Sequence, residues 1–271
     1  MTGQSSTHGI TMSAGGVVKT YASWDRGEHE REWRALNLLA RYAPGLAPLP
    51  LEADLRAEPP VIVMSRLDGD PLRGRAVTPG QIGAMAEAIT TLHASVPEPV
   101  LTGLAPSPWN PSVAVAKARR LRAERPYPGE DPLVLRAFAA GAEWLDSRPL
   151  DELAEATVTP VFGLSDGNLA NYLWDGERVR LVDWEDSGRS DCAFELAEVV
   201  EHISRFDGAF DGSALLEHFD LTAAETDRVR EIRRLLAFVW LLMLGPGGLF
   251  AERNAGDALE RQGKRVLSLF A

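Results

Sequence analysis

Two carboxylates and an amide, joined by a segment that must fold back on itself, constrain this chain more than any other feature. The run Leu164-Ser165-Asp166-Gly167-Asn168-Leu169-Ala170-Asn171 sets an Asp and an Asn five residues apart. Asp183 lies twelve residues beyond Asn171, at the end of the apolar pair Leu181-Val182. Between them, Tyr172-Leu173-Trp174, then Asp175-Gly176, then Val179-Arg180-Leu181 reads as strand, turn, strand. An Asp-Gly turn between apolar arms predicts a β-hairpin. A hairpin returns its two ends to one place, so Asp166, Asn171 and Asp183 converge.

Phosphoryl transfer needs such a cluster. One carboxylate orients the attacking hydroxyl and accepts its proton, while an amide oxygen and a second carboxylate hold Mg²⁺ against nucleotide phosphates. The Asp-x4-Asn spacing, the hairpin and Val182-Asp183-Trp184-Glu185 resemble the catalytic and metal segments of the aminoglycoside phosphotransferase and choline kinase family. The following Ser187-Gly188-Arg189-Ser190-Asp191-Cys192-Ala193-Phe194-Glu195-Leu196-Ala197 is similar to the family's run after the metal Asp. The resemblance is dense over residues 160–202 and more diffuse elsewhere. It implies an α+β, protein-kinase-like fold of two lobes: a small β-rich nucleotide-binding lobe over residues 1–66 and a helical lobe over 67–271. It further implies Asp166 as catalytic base, Asn171 and Asp183 as metal ligands, and Mg²⁺ with ATP or GTP as cofactors.

One departure stands out. The family usually carries His two residues before the catalytic Asp, and this chain has Leu164. Leu fills the same apolar space but makes no hydrogen bond, and an unsatisfied buried partner costs about 1–3 kcal/mol. With all three polar residues retained, an active kinase is expected; the competing reading is a catalytically impaired binding protein of the same fold.

A kinase also needs a cation over the phosphates and an acid to hold it. Val17 to Tyr21 reads as a strand carrying Lys19, and Glu28 to Tyr42 as a helix with apolar Trp33, Leu36, Leu39 and Ala40. Lys19 and Glu32 are the candidates for this pair, with Glu30 the weaker acid. Without the resemblance, both read as solvated charges. Pro60 to Met64 reads as a buried strand entering a hinge at Met64, Ser65 and Leu67, where the resemblance puts adenine binding. Glycines are too few to assign a phosphate-covering loop: Ala14-Gly15-Gly16 reads as a plain turn.

The remainder reads as helical, with segments expected at 79–96, 113–124, 131–147, 194–206, 222–244 and 254–270. The net charge of −11 argues against nucleic acid and anionic membrane as partners. The longest apolar run, Leu235 to Leu244, is half of what a membrane-spanning helix requires. The first residues, Met1 to Ser6, lack a signal peptide's basic and apolar regions, and a lone Cys192 excludes an intrachain disulfide; both point to the cytoplasm. Arg119, Arg120, Arg122 and Arg125 read as a solvated helix face. Glu185, Glu198 and Glu201 are candidate substrate residues, since carboxylates suit a cationic small-molecule acceptor. Glu198 and Glu201, three apart, are expected to share a helix face. An antibiotic such as an aminoglycoside is the favoured acceptor. A choline, homoserine or sugar metabolite is the alternative.

Overall fold

The structure, a computed structural model, describes residues 8–13, 15–22, 25–124, 129–147, 150–248, 250–254 and 256–271. The expectations resting on Met1 to Ser6, Ala14 and Arg125 lie outside the described residues.

The chain opens with a four-stranded antiparallel sheet. β1 (Gly9–Ser13) and β2 (Gly16–Thr20) precede helix α1 (Glu28–Tyr42), and β3 (Pro50–Asp54) and β4 (Val61–Met64) follow it; the strand order is β1-β2-β4-β3. β2 lies between β1 and β4, with Lys19 opposite Ile62. Gly16 has a positive φ of 147°, and a Cβ there would stand 2.4 Å from the Met64 carbonyl oxygen. Only glycine lets β2 start this close to β4. Leu36 and Leu39 of α1 are fully buried in one apolar core with Tyr21 and Ile62.

A short strand β5 (Asp70–Pro71) leads into helices α2 (Pro79–Ser95), α3 (Glu98–Leu101), α4 (Pro111–Glu124), α5 (Pro132–Ser147) and α6 (Leu150–Glu155). α2 starts with a capping box in which Thr78 and Gln81 satisfy each other's backbone N–H groups. β6 (Pro160–Gly163) enters the segment that carries Asp166, Asn171 and Asp183, which runs through β7 (Tyr172–Trp174), β8 (Val179–Leu181) and β9 (Gly188–Asp191). β7 and β8 form the expected hairpin, and β6 pairs with β9. Helices α7 (Cys192–Glu201), α8 (Gly212–Leu216), α9 (Ala223–Leu244) and α10 (Ala258–Phe270) complete the chain. Leu235 to Leu244 is buried throughout within a second apolar core, shared with α4, α5, α7 and α10. The chain is thus an α+β, kinase-like fold: a small antiparallel sheet lobe and a mainly helical remainder.

The helix expected at 194–206 is shorter. It ends at Glu201 because His202 adopts an extended backbone, φ −58° and ψ 139°, and its ring accepts the Ser204 N–H. A tight 3₁₀ turn follows over Ile203–Asp207. β3, begun by a proline and mostly exposed, was not expected from periodicity, as befits an edge strand. Among the described residues, no helix is long and apolar enough to cross a membrane. Arg119 and Arg122 pair with Asp151 and Asp146, so the basic face is largely self-neutralised.

Candidate active site

The loop that carries Asp166 is held by close packing against α7. Gly163 and Gly167 admit no side chain: a Cβ would stand 2.2 Å from Glu195 Oε1 at the first and 2.3 Å from the Glu198 carbonyl oxygen at the second. Glu195, buried on α7, accepts the Ser165 N–H at 3.0 Å, the Ser165 hydroxyl at 2.8 Å and the Ser190 hydroxyl at 2.5 Å. Ser165 is thereby fixed at a positive φ of 58°. Leu164 is buried in the apolar core.

Asp166 accepts the Asn168 N–H at 3.0 Å and the Asn171 Nδ2 amide at 2.8 Å. Burial, then the Asp183 charge, push its carboxyl up to about 6, against the Asn168 and Asn171 hydrogen bonds that hold it down. The Asn171 backbone carbonyl accepts the Val182 N–H at 3.0 Å, which ties the loop to the residue before Asp183. Asp183 sits at φ 70°, a left-handed conformation that Asp tolerates better than most residues. Asp166 and Asp183 keep 29% and 39% of their side-chain surface exposed, so both are accessible to a ligand.

Lys19, only 4% exposed, comes to this point from β2. Its ammonium donates to Glu32 at 2.7 Å, Asp183 at 2.5 Å and Glu185 at 2.8 Å. Burial disfavours the charged ammonium, but Glu32, then Asp183, outweigh it and raise Lys19 well above its ordinary value. Tyr21 donates its hydroxyl to the same Glu32 carboxylate. Glu32, Asp183 and Glu185 lie close enough to hold a cation among themselves, and that cation is the Lys19 ammonium. The structure therefore brings together Lys19, Glu32, Asp166, Asn171 and Asp183.

The donor chemistry for a metal is consistent. With the Asn171 amide nitrogen committed to Asp166, its carbonyl oxygen is the atom left to ligate, and Asp183 adds a carboxylate. Hard oxygen donors of this kind suit Mg²⁺.

The candidate hinge residues lie where the sheet lobe ends. Met64 pairs with Val17 and Pro50, and Ser65 exchanges two hydrogen bonds with Leu49, N–H to carbonyl and N–H to hydroxyl, both at 2.8 Å. Leu67 follows, half-buried.

The expected acceptor carboxylates separate. Glu185 joins the Lys19 cluster, with His8 Nε2 also 2.9 Å away. Glu201 is fully buried and engaged by Arg233, Arg265 and, at 3.9 Å, Arg205, which leaves it no capacity for a ligand cation. Glu198 faces the Asp166 loop at Gly167, and its carboxylate accepts the Trp109 indole N–H at 3.0 Å. Burial pushes its carboxyl up to about 8, opposed by the Trp109 hydrogen bond and reinforced by Asp166. Glu198 and Glu201 thus do not share a working face. The stripe facing the loop is Glu195, Glu198 and His202, a spacing of i, i+3, i+7. Neither Glu195 nor His202 emerged from the sequence as a site residue. A row of polar side chains at helical spacing in an apolar segment is the signal that points to both. Trp184 is fully buried and stacked on Phe162, so it belongs to the core and not to a ligand.

A family model described as "APH: Phosphotransferase enzyme family" matches residues 17–232. The chain belongs to this phosphotransferase family. Solved structures share the fold at low identity. A choline/ethanolamine kinase family protein from Mesorhizobium loti is 17% identical with a TM-score of 0.65, over 98% of this chain and 86% of that one. The GDP complex of aminoglycoside 2'-phosphotransferase-IIIa is 14% identical with a TM-score of 0.66, over 99% and 90%. Spectinomycin phosphotransferase APH(9)-Ia, solved with ADP and spectinomycin, is 12% identical with a TM-score of 0.63, over 99% and 92%. A search of curated protein sequences returns no match.

Proposed function

We propose that this chain is a small-molecule kinase that transfers the γ-phosphate of ATP or GTP to a hydroxyl of an antibiotic, an aminoglycoside or similar basic compound. The observation that carries this reading is the joining of two half-sites: Lys19, held by Glu32, meets Asp183, while Asp166 lies hydrogen-bonded to Asn171. Bound Mg²⁺, held by Asn171 and Asp183, would neutralise charge on the transferring phosphoryl group. Lys19 holds the nucleotide phosphates from β2, and Met64, Ser65 and Leu67 flank the base at the edge of the sheet lobe. Asp166 orients the acceptor hydroxyl and takes its proton, in a position that remains accessible. Glu198, next to Trp109 and close enough to Asp166 to feel its charge, is the carboxylate we assign to an acceptor ammonium. Residues 1–66 serve the nucleotide and residues 67–271 the chemistry and the acceptor. The acidic chain, with its single Cys192 pushed up to about 12 by burial and then Asp191, fits a cytoplasmic enzyme without a reactive thiol.

A coupled nucleotide-turnover assay tests this reading. Wild type and Asp166→Ala are run with Mg-ATP and Mg-GTP across aminoglycosides, peptide antibiotics, nucleoside antibiotics and small amines. The expected result is turnover that depends on one acceptor class and falls at least about 10²-fold in the variant, with nucleotide still raising the melting temperature of both proteins. Undiminished turnover in Asp166→Ala removes Asp166 from the role. Turnover with choline-like amines alone moves the acceptor to a metabolite.

A further inference from the structure

Just past α7, His202 bends the chain back under the catalytic loop. The Ser204 backbone N–H donates to its Nδ1 at 3.2 Å, and the Ser204 hydroxyl lies 2.8 Å from the same nitrogen. That hydroxyl accepts the Leu169 N–H at 3.0 Å, which leaves its own hydrogen for Nδ1. A backbone N–H can only donate, so Nδ1 carries no proton. A neutral imidazole with an accepting Nδ1 bears its hydrogen on Nε2. The ring is neutral: burial, then Arg73 and Arg205, push it down to about 3. Trp240 packs edge-on against it, with centroids 5.0 Å apart. Nε2, which carries that hydrogen, lies 3.7 Å from Asp166 Oδ1. Leu164, two residues before Asp166, supplies no donor.

We propose that His202 is a positioning residue for Asp166, its Nε2–H closing onto Oδ1 in the reacting complex and fixing the rotation of the carboxylate. This inference rests on the phosphotransferase reading of the site. A separation of 3.7 Å is longer than a hydrogen bond. Catalytic hydrogen bonds that are long in the free enzyme commonly tighten when the reacting complex forms. The fixed tautomer and the clamped ring make this closure a small movement of a directed donor. Asp166 Oδ2 is held by Asn171 and Oδ1 by the Asn168 N–H, and His202 would add a second, side-chain donor on Oδ1.

The test compares wild type, His202→Leu, His202→Gln and Ser204→Ala in steady-state hydrolysis of Mg-ATP and Mg-GTP, with water as acceptor. Melting temperatures and ¹⁵N imidazole spectra are recorded for each protein that retains the ring. His202→Leu should lower kcat about tenfold or more, part of the ~10²–10⁴ carried by proton transfer, with the nucleotide KM unchanged. His202→Gln keeps an N–H donor and should recover most of that loss, and Ser204→Ala should fall between. The spectra should show a neutral Nε2–H tautomer whose signal moves in Asp166→Asn. A folded His202→Leu enzyme with wild-type kcat overturns the proposal, as does an Nδ1–H tautomer. Equal losses in the Leu and Gln variants, with a raised KM, would make His202 merely structural and also overturn it. A wild type that neither turns over nor is stabilised by either nucleotide sinks the phosphotransferase reading itself; in one that is stabilised but silent with water, the imidazole tautomer and its response to Asp166→Asn decide the proposal.

Discussion

Replacing Lys19 with Met removes the cation from the centre of three carboxylates. Glu32 is 1% exposed and Glu185 is held by the same ammonium. Removing one partner of a buried ion pair leaves the other charge uncompensated, at a cost of about 3–5 kcal/mol. For a protein of this size a loss of 1 kcal/mol lowers the melting temperature by about 2 °C, so Lys19→Met should melt about 6–10 °C below wild type near pH 8. The pH dependence separates this cause from simple loss of packing. Burial and the Asp183 charge already raise the Glu185 carboxyl, and Lys19 is what opposes them. Without Lys19, Glu185 titrates still further above its unfolded-state value, so over that window the folded chain binds more protons than the unfolded one. The variant's stability must then fall as pH rises and recover as pH drops from 8 toward 5. The wild-type Lys19, raised above its ordinary value, loses its charge only at strongly alkaline pH and contributes no slope in this range. Differential scanning calorimetry at pH 5 and pH 8 reads both effects. Adding Glu32→Leu to Lys19→Met should restore much of the lost stability, because it removes the stranded charge. A Lys19→Met protein melting within about 2 °C of wild type at pH 8, or a double variant no more stable than the single one, would refute this account of the cluster.

Gly167→Ala should fold poorly and lose activity. Its Cβ would press on the Glu198 backbone carbonyl, which cannot turn aside, at about 1–3 kcal/mol by calorimetry; a fully stable and active variant would contradict the packing. His93 is pushed down to about 4 by burial alone, so it contributes stability above pH 6.5 that is lost as pH falls toward 4. That displacement is worth up to about 3 kcal/mol, and His93→Leu should flatten the loss of melting temperature between pH 6.5 and pH 4.5.

The sequence disclosed the chemistry where residues are close in the chain. Asp166, Asn171 and Asp183 are joined by one hairpin, so an Asp-Gly turn was enough to bring them together. The Lys19–Glu32 contact was legible only as a pairing of types, because a buried Lys and a solvated strand Lys share one alternation pattern until the carboxylates around it are placed. Contacts that cross the chain were not legible. Glu185 follows Asp183 by two residues and reads as an acceptor carboxylate, yet Lys19, 166 residues away in sequence, draws it into the cluster on β2. Glu201 reads as an acceptor carboxylate on one helix face with Glu198, yet arginines from α9 and α10 neutralise it. β3 was missed because an exposed edge strand buries no periodic face.

The support of the loop around Asp166, the proposed catalytic base, comes from α7 and the turn that follows it. Glu195 fixes Ser165 on one side of Asp166, the Glu198 carbonyl sets how closely Gly167 approaches on the other, and His202 and Ser204 hold Leu169 beyond it. Each contact falls on backbone within three residues of Asp166, so the loop's conformation is imposed mainly from outside it. This bears on Leu164. A loop that relied on its own residues for shape would lose its geometry with the hydrogen bond that a histidine at 164 would make. A loop held by α7 keeps Ser165 at its positive φ and Asp166 within reach of Asn171 whether position 164 is polar or apolar. Leu164 then only has to fill space in the core, and with its 2% exposure it does so. Leu164 accordingly changes how the loop is held, and it leaves the hydrogen bonds of Asp166 to Asn168 and Asn171 in place.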